Sequence, residues 1–582
     1  MRRLRLDLVV LATLTVILNA RGLLCLFETG VLMAHTWRDG YRSTGEHVDA
    51  ARRMVARARS CGKSVAYCQP YEDRLTPVDR SRILSMSWET APRPVKCGSV
   101  AELRGCDAIV ASAYGLDLGT DDKLGPRYHV VDSAGGLSLW VKDAEKLPFR
   151  ERLATASSWG GSLSVLFLFA LVGLFFLAGG YEGVVLGVAV VSICAFLQVA
   201  FLHSVDGYGF VVMAVLTVLG VWRLRNKRIE DHEVSASVRL VGGKTDRWFC
   251  GAAVTLLFCA YSALALTHTF VSPNGLGTVG GKARVLLLSR GFPFGFFVDP
   301  AYMLYQPAYP PGSALVTLGG YLVSGVCDEW LIQLLNCLLM AILAGFFLSC
   351  ARDWSMRLLV IAFFASPLTV RLATLFYPEV YVGLCMVVGW GRIRKNPLDW
   401  TGWLSMGLAG WFKNEGLVYF SAMALVVLLA NSRKRMLSVA VRIGGAVFLP
   451  VSWHIGCRLC GASLDGYAPM LAASATKGGM AFLRLVRHSF GEPWLYAFAF
   501  PIALVNVFRG GMSPVRIVGL SVVVSLFFFC AVFSLSDASD FSWHLASMER
   551  LLWVPALLLL QENGLQSKSI TGRASSEFIV NG

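Results

Sequence analysis

Runs of roughly eighteen or more mostly apolar residues recur along almost the whole chain, and no other feature restricts its fold as much. Each run is long enough to cross a hydrocarbon core of ~30 Å as a helix, and a backbone in lipid must satisfy its polar groups within itself. A polytopic α-helical membrane protein is therefore expected. Of the 582 residues 55 % are hydrophobic and only 16 % are charged. A formal charge of +15 would suggest nucleic acid in a soluble domain. Here Lys and Arg fall mostly in the short links between apolar runs, so the charge is topological and no nucleic-acid partner is expected.

Arg2, Arg3 and Arg5 precede the apolar run Leu8 to Phe27, which puts the N-terminus in the cytoplasm and makes residues 1–33 an uncleaved first transmembrane helix. Residues 34–155 are the one long polar stretch. Helical and strand patterns alternate in it, with strands expected near 64–69, 94–97 and 107–112 and a hairpin of 127–131 and 137–141 joined through 132–136. That succession predicts a small extracytoplasmic α/β domain with a partly parallel sheet. No G-x-G-x-x-G follows its first strand, so no dinucleotide site is expected. Cys61, Cys68, Cys97 and Cys106 fall in this region, where an oxidising compartment permits disulfides whose pairing the sequence leaves open. Most other cysteines lie within apolar runs and read as buried thiols, and no Cys/His cluster has zinc spacing.

Three helices at 158–178, 182–203 and 206–222 fill residues 156–247 and end in the basic link 223–228, R-L-R-N-K-R. Over residues 248–561 the same positive-inside rule threads runs at 248–268, 329–350, 358–375, 377–391, 400–412, 416–430, 436–457, 493–508, 515–535 and 546–560. The total is about fourteen spans, with both termini and the tail 562–582 in the cytoplasm. Ser313 to Val326 is short and glycine-rich and is assigned to the interface. The link from Thr267 to Gly312 is too long to be a spacer. Its aromatic and glycine-rich middle, Gly291-Phe-Pro-Phe-Gly-Phe-Phe, suits short helices at headgroup depth, as the roof of a lipid-facing site.

Under this threading, ionisable and polar residues collect on the noncytoplasmic side: Asn274, Lys282, Asp299 and Tyr309 in the long link, then Glu379, then Lys413, Asn414 and Glu415, and finally His544 and Arg550. Asp465, Lys477, Arg484, Arg487, His488, Asp537 and Asp540 fall on the same side. Ordinary solvated loop charge accounts for Asp465, Lys477 and Asp537. It accounts less well for Lys413, Glu415 and Arg550, which Trp, Phe and Leu flank closely. Lys413 and Glu415 either pair and snorkel or belong to a site, and Glu379 after Pro378 either serves the N-terminus of a helix or does chemistry.

The order K-A-R, then Y-P-P-G, then S-P-L-T with Y-P-E-V-Y, then F-K-N-E-G-L, then D-F-S-W-H-L-A-S-M-E-R-L-L-W-V-P resembles bacterial polytopic glycosyltransferases of the GT-C superfamily, relatives of the protein mannosyltransferases and the lipid A aminoarabinose transferases. The resemblance covers roughly residues 248–560. It implies transfer of a sugar from a polyprenyl-phosphate donor to an envelope glycan or protein acceptor at the outer face of the bacterial cytoplasmic membrane, with a divalent metal ion as the one cofactor it allows. It places the catalytic carboxylate of the first core loop at Asn274, with Asp299 as a substitute, and matches Tyr377-Pro-Glu379 to the family's second acidic position. Lys282, Lys413 and Arg550 are then the cations for the donor phosphate, and Tyr309, Asn414, Glu415 and His544 line the substrate. An amide is no general base, so Asn274 opens an alternative: a catalytically inactive relative that binds lipid-linked glycan or serves an envelope assembly complex. A secondary transporter predicts an inverted repeat with interrupted helices, which the sequence does not show.

Overall fold

A computed structural model of the chain describes the strands between residues 65 and 142, part of a helix at 50–58, Met86, Cys106, and residues 180–202, 244–266, 274–299, 302, 305–324, 329–351, 354–462, 505–508, 513–534 and 541–564. The expected helices at 8–27, 158–178 and 206–222, and most of 493–508, lie outside the described residues. So do Asp465, Lys477, Arg484, Arg487, His488, Asp537 and Asp540. The chain divides into two compact units, Met1–Thr90 with Val95–Arg150, and Ala91–Pro94 with Glu151–Gly582.

The first unit holds a five-stranded sheet of order β2-β1-β3-β5-β4, where β1 is Val65–Cys68, β2 Lys96–Gly98, β3 Ala108–Ser112, β4 Tyr128–Ala134 and β5 Leu137–Lys142. β1 runs parallel to β2 and β3, and the hairpin β4–β5 adds on antiparallel. Ala108, Ile109 and Val110 are successive and all buried, so both faces of the central strand β3 are covered. In the helical stretch Ala50, Ala51, Met54, Val55 and Ala58 are buried, a spacing that gathers them on one face. β4 is longer than its sequence suggests: it continues to Ala134 through an irregularity between Val130 and Asp132, leaving only Gly135-Gly136 for the turn. Cys68 pairs in register with Gly98 and Tyr67 with Cys97.

The second unit is helical. In chain order we label α1 (Gly180–Ala200), α2 (Lys244–Ala265), α3 (Gly280–Leu288), α4 (Gly312–Ser324), α5 (Glu329–Cys350), α6 (Trp354–Phe364), α7 (Pro367–Thr374), α8 (Glu379–Ile393), α9 (Trp400–Phe412), α10 (Asn414–Ala430), α11 (Arg433–Leu459), α12 (Pro514–Ser534) and α13 (Phe541–Gly564). Among the described residues four helices are long and apolar enough to cross a membrane: α1, α11, Trp248–Ala265 of α2 and Ile332–Cys350 of α5. α6 and α7, bent by 55° where Ser366-Pro367 restarts the helix, make a fifth if they count as one span. The stretch expected to lie along the interface is instead the helix α4, buried from Gly312 through Tyr321, so it sits inside the protein without a lipid face.

The helix that organises this unit is α8. Its side chains from Glu379 through Trp390 are all buried, and it packs on α5, α7, α9 and α13. The approach of α9 to its neighbours is set by missing side chains. A β-carbon on Gly389 of α8 would sit 2.7 Å from the Gly402 carbonyl oxygen on α9, and one on Gly407 of α9 would collide with the Ala446 carbonyl of α11. Pro450, inside α11, has no N–H to offer that Ala446 carbonyl. The missing intrahelical bond and the glycine contact therefore coincide on one carbonyl. Polar residues close the C-terminal end of α8: Arg392 bonds Glu182 and, at 2.7 Å, Asp399, while Glu562 takes Arg394 at 3.1 Å and the Trp390 indole at 2.7 Å. Asp399 also caps α9 through the Thr401 and Gly402 amides.

Gly407→Ala should lower stability by about 1–3 kcal/mol, because the added methyl meets backbone that cannot swing away. Gly444→Ala, where a β-carbon meets nothing within 4 Å, should be neutral or slightly stabilising. Thermal unfolding of the two variants in the same detergent checks the difference.

Candidate active site

At the opposite end of α8, roughly 20 Å from Arg392 along the helix, three helix N-termini meet. α8 begins at Glu379 behind Pro378, α10 begins at Asn414 behind Lys413, and α4 begins at Gly312 behind Pro310-Pro311. Prolines fit these positions because the first turn of a helix has no use for their missing N–H. A β-carbon at Gly312 would lie 2.6 Å from the Trp411 carbonyl oxygen, so Y-P-P-G is pressed against the end of α9 just before W-F-K-N-E-G. Glu379 and Glu415 occupy first turns, where the helix dipole favours negative charge.

Glu379 lies at the bottom. Its Oε1 is 2.9 Å from the Lys413 ammonium and 3.6 Å from the Arg550 guanidinium, the latter reaching in from α13. The same ammonium is 3.2 Å from Glu415 Oε1, and the Tyr309 hydroxyl donates to Glu415 Oε2 at 3.0 Å. Arg550 also lies over the Tyr377 ring, 4.9 Å from its centroid. Side-chain exposure grades outward, from 3 % for Glu379 and 6 % for Lys413 to 18 % for Arg550 and 22 % for Glu415. Glu379 Oε2 is buried and accepts no hydrogen bond among the described residues. One carboxylate thus has one oxygen held by two cations and the other with its lone pairs open. Such a group can take a hydroxyl proton, and the cations beside it can steady a departing anion.

Sequence reasoning placed Tyr309, Glu379, Lys413, Glu415 and Arg550 at one site, and the structure brings all five together, with Asn414 between Lys413 and Glu415 on the backbone. Lys282 arrives differently. It is fully buried on α3, and its Nζ donates to the Gln306 and Tyr309 carbonyls at 2.9 and 3.0 Å. It holds the loop behind Tyr309 rather than the carboxylates, which leaves Lys413 and Arg550 as the cations of the cluster. Burial lowers the Lys282 ammonium from 10.5 to about 7. Asp299 is exposed on the turn after Gly295 and is not among the groups that meet Glu379. Asn274 opens a π-helical turn, Asn274–Val279, and His544 lies in the first turns of α13; the side chains of both are outside the described residues.

Several participants escaped the sequence. Tyr377 had a signal, its place in the matched Tyr377-Pro-Glu379 motif, but no role of its own was assigned to it. Ser192 and Trp453 had none: Ser192 donates to the Gly312 carbonyl and accepts the Trp411 indole N–H, and the Trp453 indole donates to the Ala308 carbonyl. Against the expectation of no C-x-x-C, the sequence carries one, Cys457-Arg-Leu-Cys460, at the end of α11, and Cys457 lies beside Lys282. No group of three or more His, Cys, Asp or Glu side chains is placed to hold a metal ion among the described residues. Comparisons with protein families, with curated proteins and with solved structures return no match to this chain.

Removing one partner of the buried pair leaves the other only its longer contact, Arg550 for Glu379 or Glu415 for Lys413. Glu379→Gln and Lys413→Met should each destabilise by about 3–5 kcal/mol, and the double variant by clearly less than the sum. Chemical unfolding of the four forms in one detergent gives the cycle. For Lys282 the sign runs the other way: between pH 7 and 10.5 the unfolded chain keeps a proton that the folded one has released, so raising the pH across that window favours the fold. Thermal midpoints should climb over that range, and in Lys282→Met the climb should shrink.

Proposed function

We propose that this protein is a membrane glycosyltransferase of the GT-C type, moving a sugar from a polyprenyl-phosphate donor to a cell-envelope acceptor at the outer face of the bacterial cytoplasmic membrane. The observation that carries the reading is the Glu379 carboxylate, its Oε2 open and its Oε1 held by Lys413 and Arg550. It stands where the resemblance puts the family's second acidic position. In the reaction the acceptor hydroxyl gives its proton to Glu379 Oε2, its oxygen bonds to the anomeric carbon, and the bond from that carbon to the phosphate oxygen breaks. Polyprenyl phosphate leaves as the anion, its charge balanced by Lys413 and Arg550 as they turn from Glu379. Glu415 and Tyr309 hold Lys413 from the far side and line the acceptor. Among the described residues the partners of Glu379 are the cations Lys413 and Arg550, a set that suits no metal ion.

The topology that goes with this reading has about fourteen spans with both termini in the cytoplasm, a sheet-bearing N-terminal unit outside, and the Arg392, Arg394 and Lys395 end of α8 facing the cytoplasm. A second reading, a silent relative that binds lipid-linked glycan, is favoured by Asn274, an amide where the family carries a carboxylate.

Transfer of a labelled sugar from a polyprenyl-phosphate donor in membranes decides between them. With Glu379 as the base, Glu379→Gln should cut turnover by about 10²-fold or more while Asn274→Asp leaves it within about twofold. Turnover that appears only in Asn274→Asp would mark a lapsed enzyme, and unchanged turnover in Glu379→Gln would remove Glu379 from the chemistry.

A further inference from the structure

The Gln306–Gly312 segment carries Tyr309 to the site, and four of its seven carbonyls are held by side chains from elsewhere in the fold. Lys282 takes the Gln306 and Tyr309 carbonyls, Trp453 that of Ala308, and Ser192 that of Gly312, with the Trp411 indole behind Ser192. The turn closes on itself through the Tyr309 amide, which donates to the Gln306 carbonyl at 2.9 Å. Gln306 pays for this geometry with a φ of +47°, a left-handed conformation that a side chain with a β-carbon adopts at a cost of about 1–2 kcal/mol. Its own side chain is exposed and offers no reason for the conformation. The buried amine of Lys282 does offer one: it holds the Gln306 carbonyl on one side of that φ, while Tyr305, fully buried, fixes the chain on the other.

We propose that Lys282 is a positioning residue: it locks the Gln306–Tyr309 turn in its strained form and so holds the Tyr309 hydroxyl on Glu415, which in turn fixes the Lys413 ammonium. The path runs unbroken from the Lys282 amine through the Tyr309 backbone to its hydroxyl, then to Glu415, Lys413 and Glu379. Four elements far apart in sequence are joined by it. Removing the amine lets Gln306 relax toward the extended conformation that Pro307 favours in the residue before it, and the phenol swings off Glu415. The effect on the site rests on the transferase reading; the clamp itself does not.

Hydrogen–deuterium exchange of the intact detergent-solubilised protein tests the clamp without any substrate. In Lys282→Met, a substitution that keeps most of the side-chain volume, amides of residues 306–312 should exchange at least about tenfold faster, while α8 and α9 stay as in the wild type. Adding Gln306→Gly, which removes the β-carbon that makes φ +47° costly, should bring back part of that protection in the double variant. Exchange within twofold of wild type in Lys282→Met, or a double variant no slower than the single, overturns the proposal and leaves Lys282 as packing. If Lys282→Met does not fold, Lys282→Gln in the same pair of backgrounds gives the same comparison with two shorter donors. In the transfer assay, Lys282→Met and Tyr309→Phe should both lower kcat with little change in donor KM, and only the first should respond to Gln306→Gly. Absence of transfer by the wild type would end the transferase reading and leave the exchange result standing.

Discussion

A carboxylate and an ammonium removed from water together, Glu379 and Lys413, hold the polar end of the helical unit in register. Taking two such ions out of solvent costs several kcal/mol each, and their attraction offsets this only at close range. At 2.9 Å, with almost no exposure on either side, the pair is close enough to persist and too deep to dissolve. It therefore adds little net stability, yet it dictates which helix ends meet: the start of α8 cannot drift from the start of α10 without stranding a charge. Arg550, on the last described helix, depends on the same oxygen.

The backbone around this pair is bent to fit it. Arg290, Gln306 and Phe376 have left-handed φ angles without being glycine among the described residues, and two of these three adjoin the cluster. Phe376, at +57°, directly precedes Tyr377-Pro378-Glu379, so the strained residue aims the tyrosine under Arg550 and delivers the carboxylate into the first turn of α8. Strain of this kind persists only where the surroundings over-determine it. Here they do: proline fixes φ at residue 378, and two cations close on one oxygen of the carboxylate.

What was legible in the sequence were charges set beside proline, glycine or aromatic residues at the ends of apolar runs. Y-P-E, K-N-E and Y-P-P-G each announced a helix start with a polar group that lipid would not tolerate, and the structure joins them. Lys282 carried the same kind of signal and had a different task, because its partners are carbonyls 24 and 27 residues away, and a backbone oxygen leaves no mark in a pattern of side chains. Asp299 misled in the opposite sense, an acid in the right loop whose exposure only the fold reveals. Helix α4 was misjudged because its glycines suggested a poor span; Gly312 and Gly320 instead let it pack against Trp411 and Ile332 inside the protein. The strands were easier, since short apolar runs between turn residues have few other uses, and only the length of β4 differed.

The polar cluster is also assembled from pieces that a ribosome delivers at different times. Glu379 and Lys413 stand 34 residues apart, so both can enter the membrane within one helical hairpin and neutralise each other while the chain is still being made. Arg550 belongs to the last described helix. Until that helix is inserted the nascent bundle holds its acid with a single cation, and the finished arrangement, with two cations on one oxygen, exists only after α13 has been made. A chain cut short before α13 would leave the translocon with its helices paired but its centre unfinished.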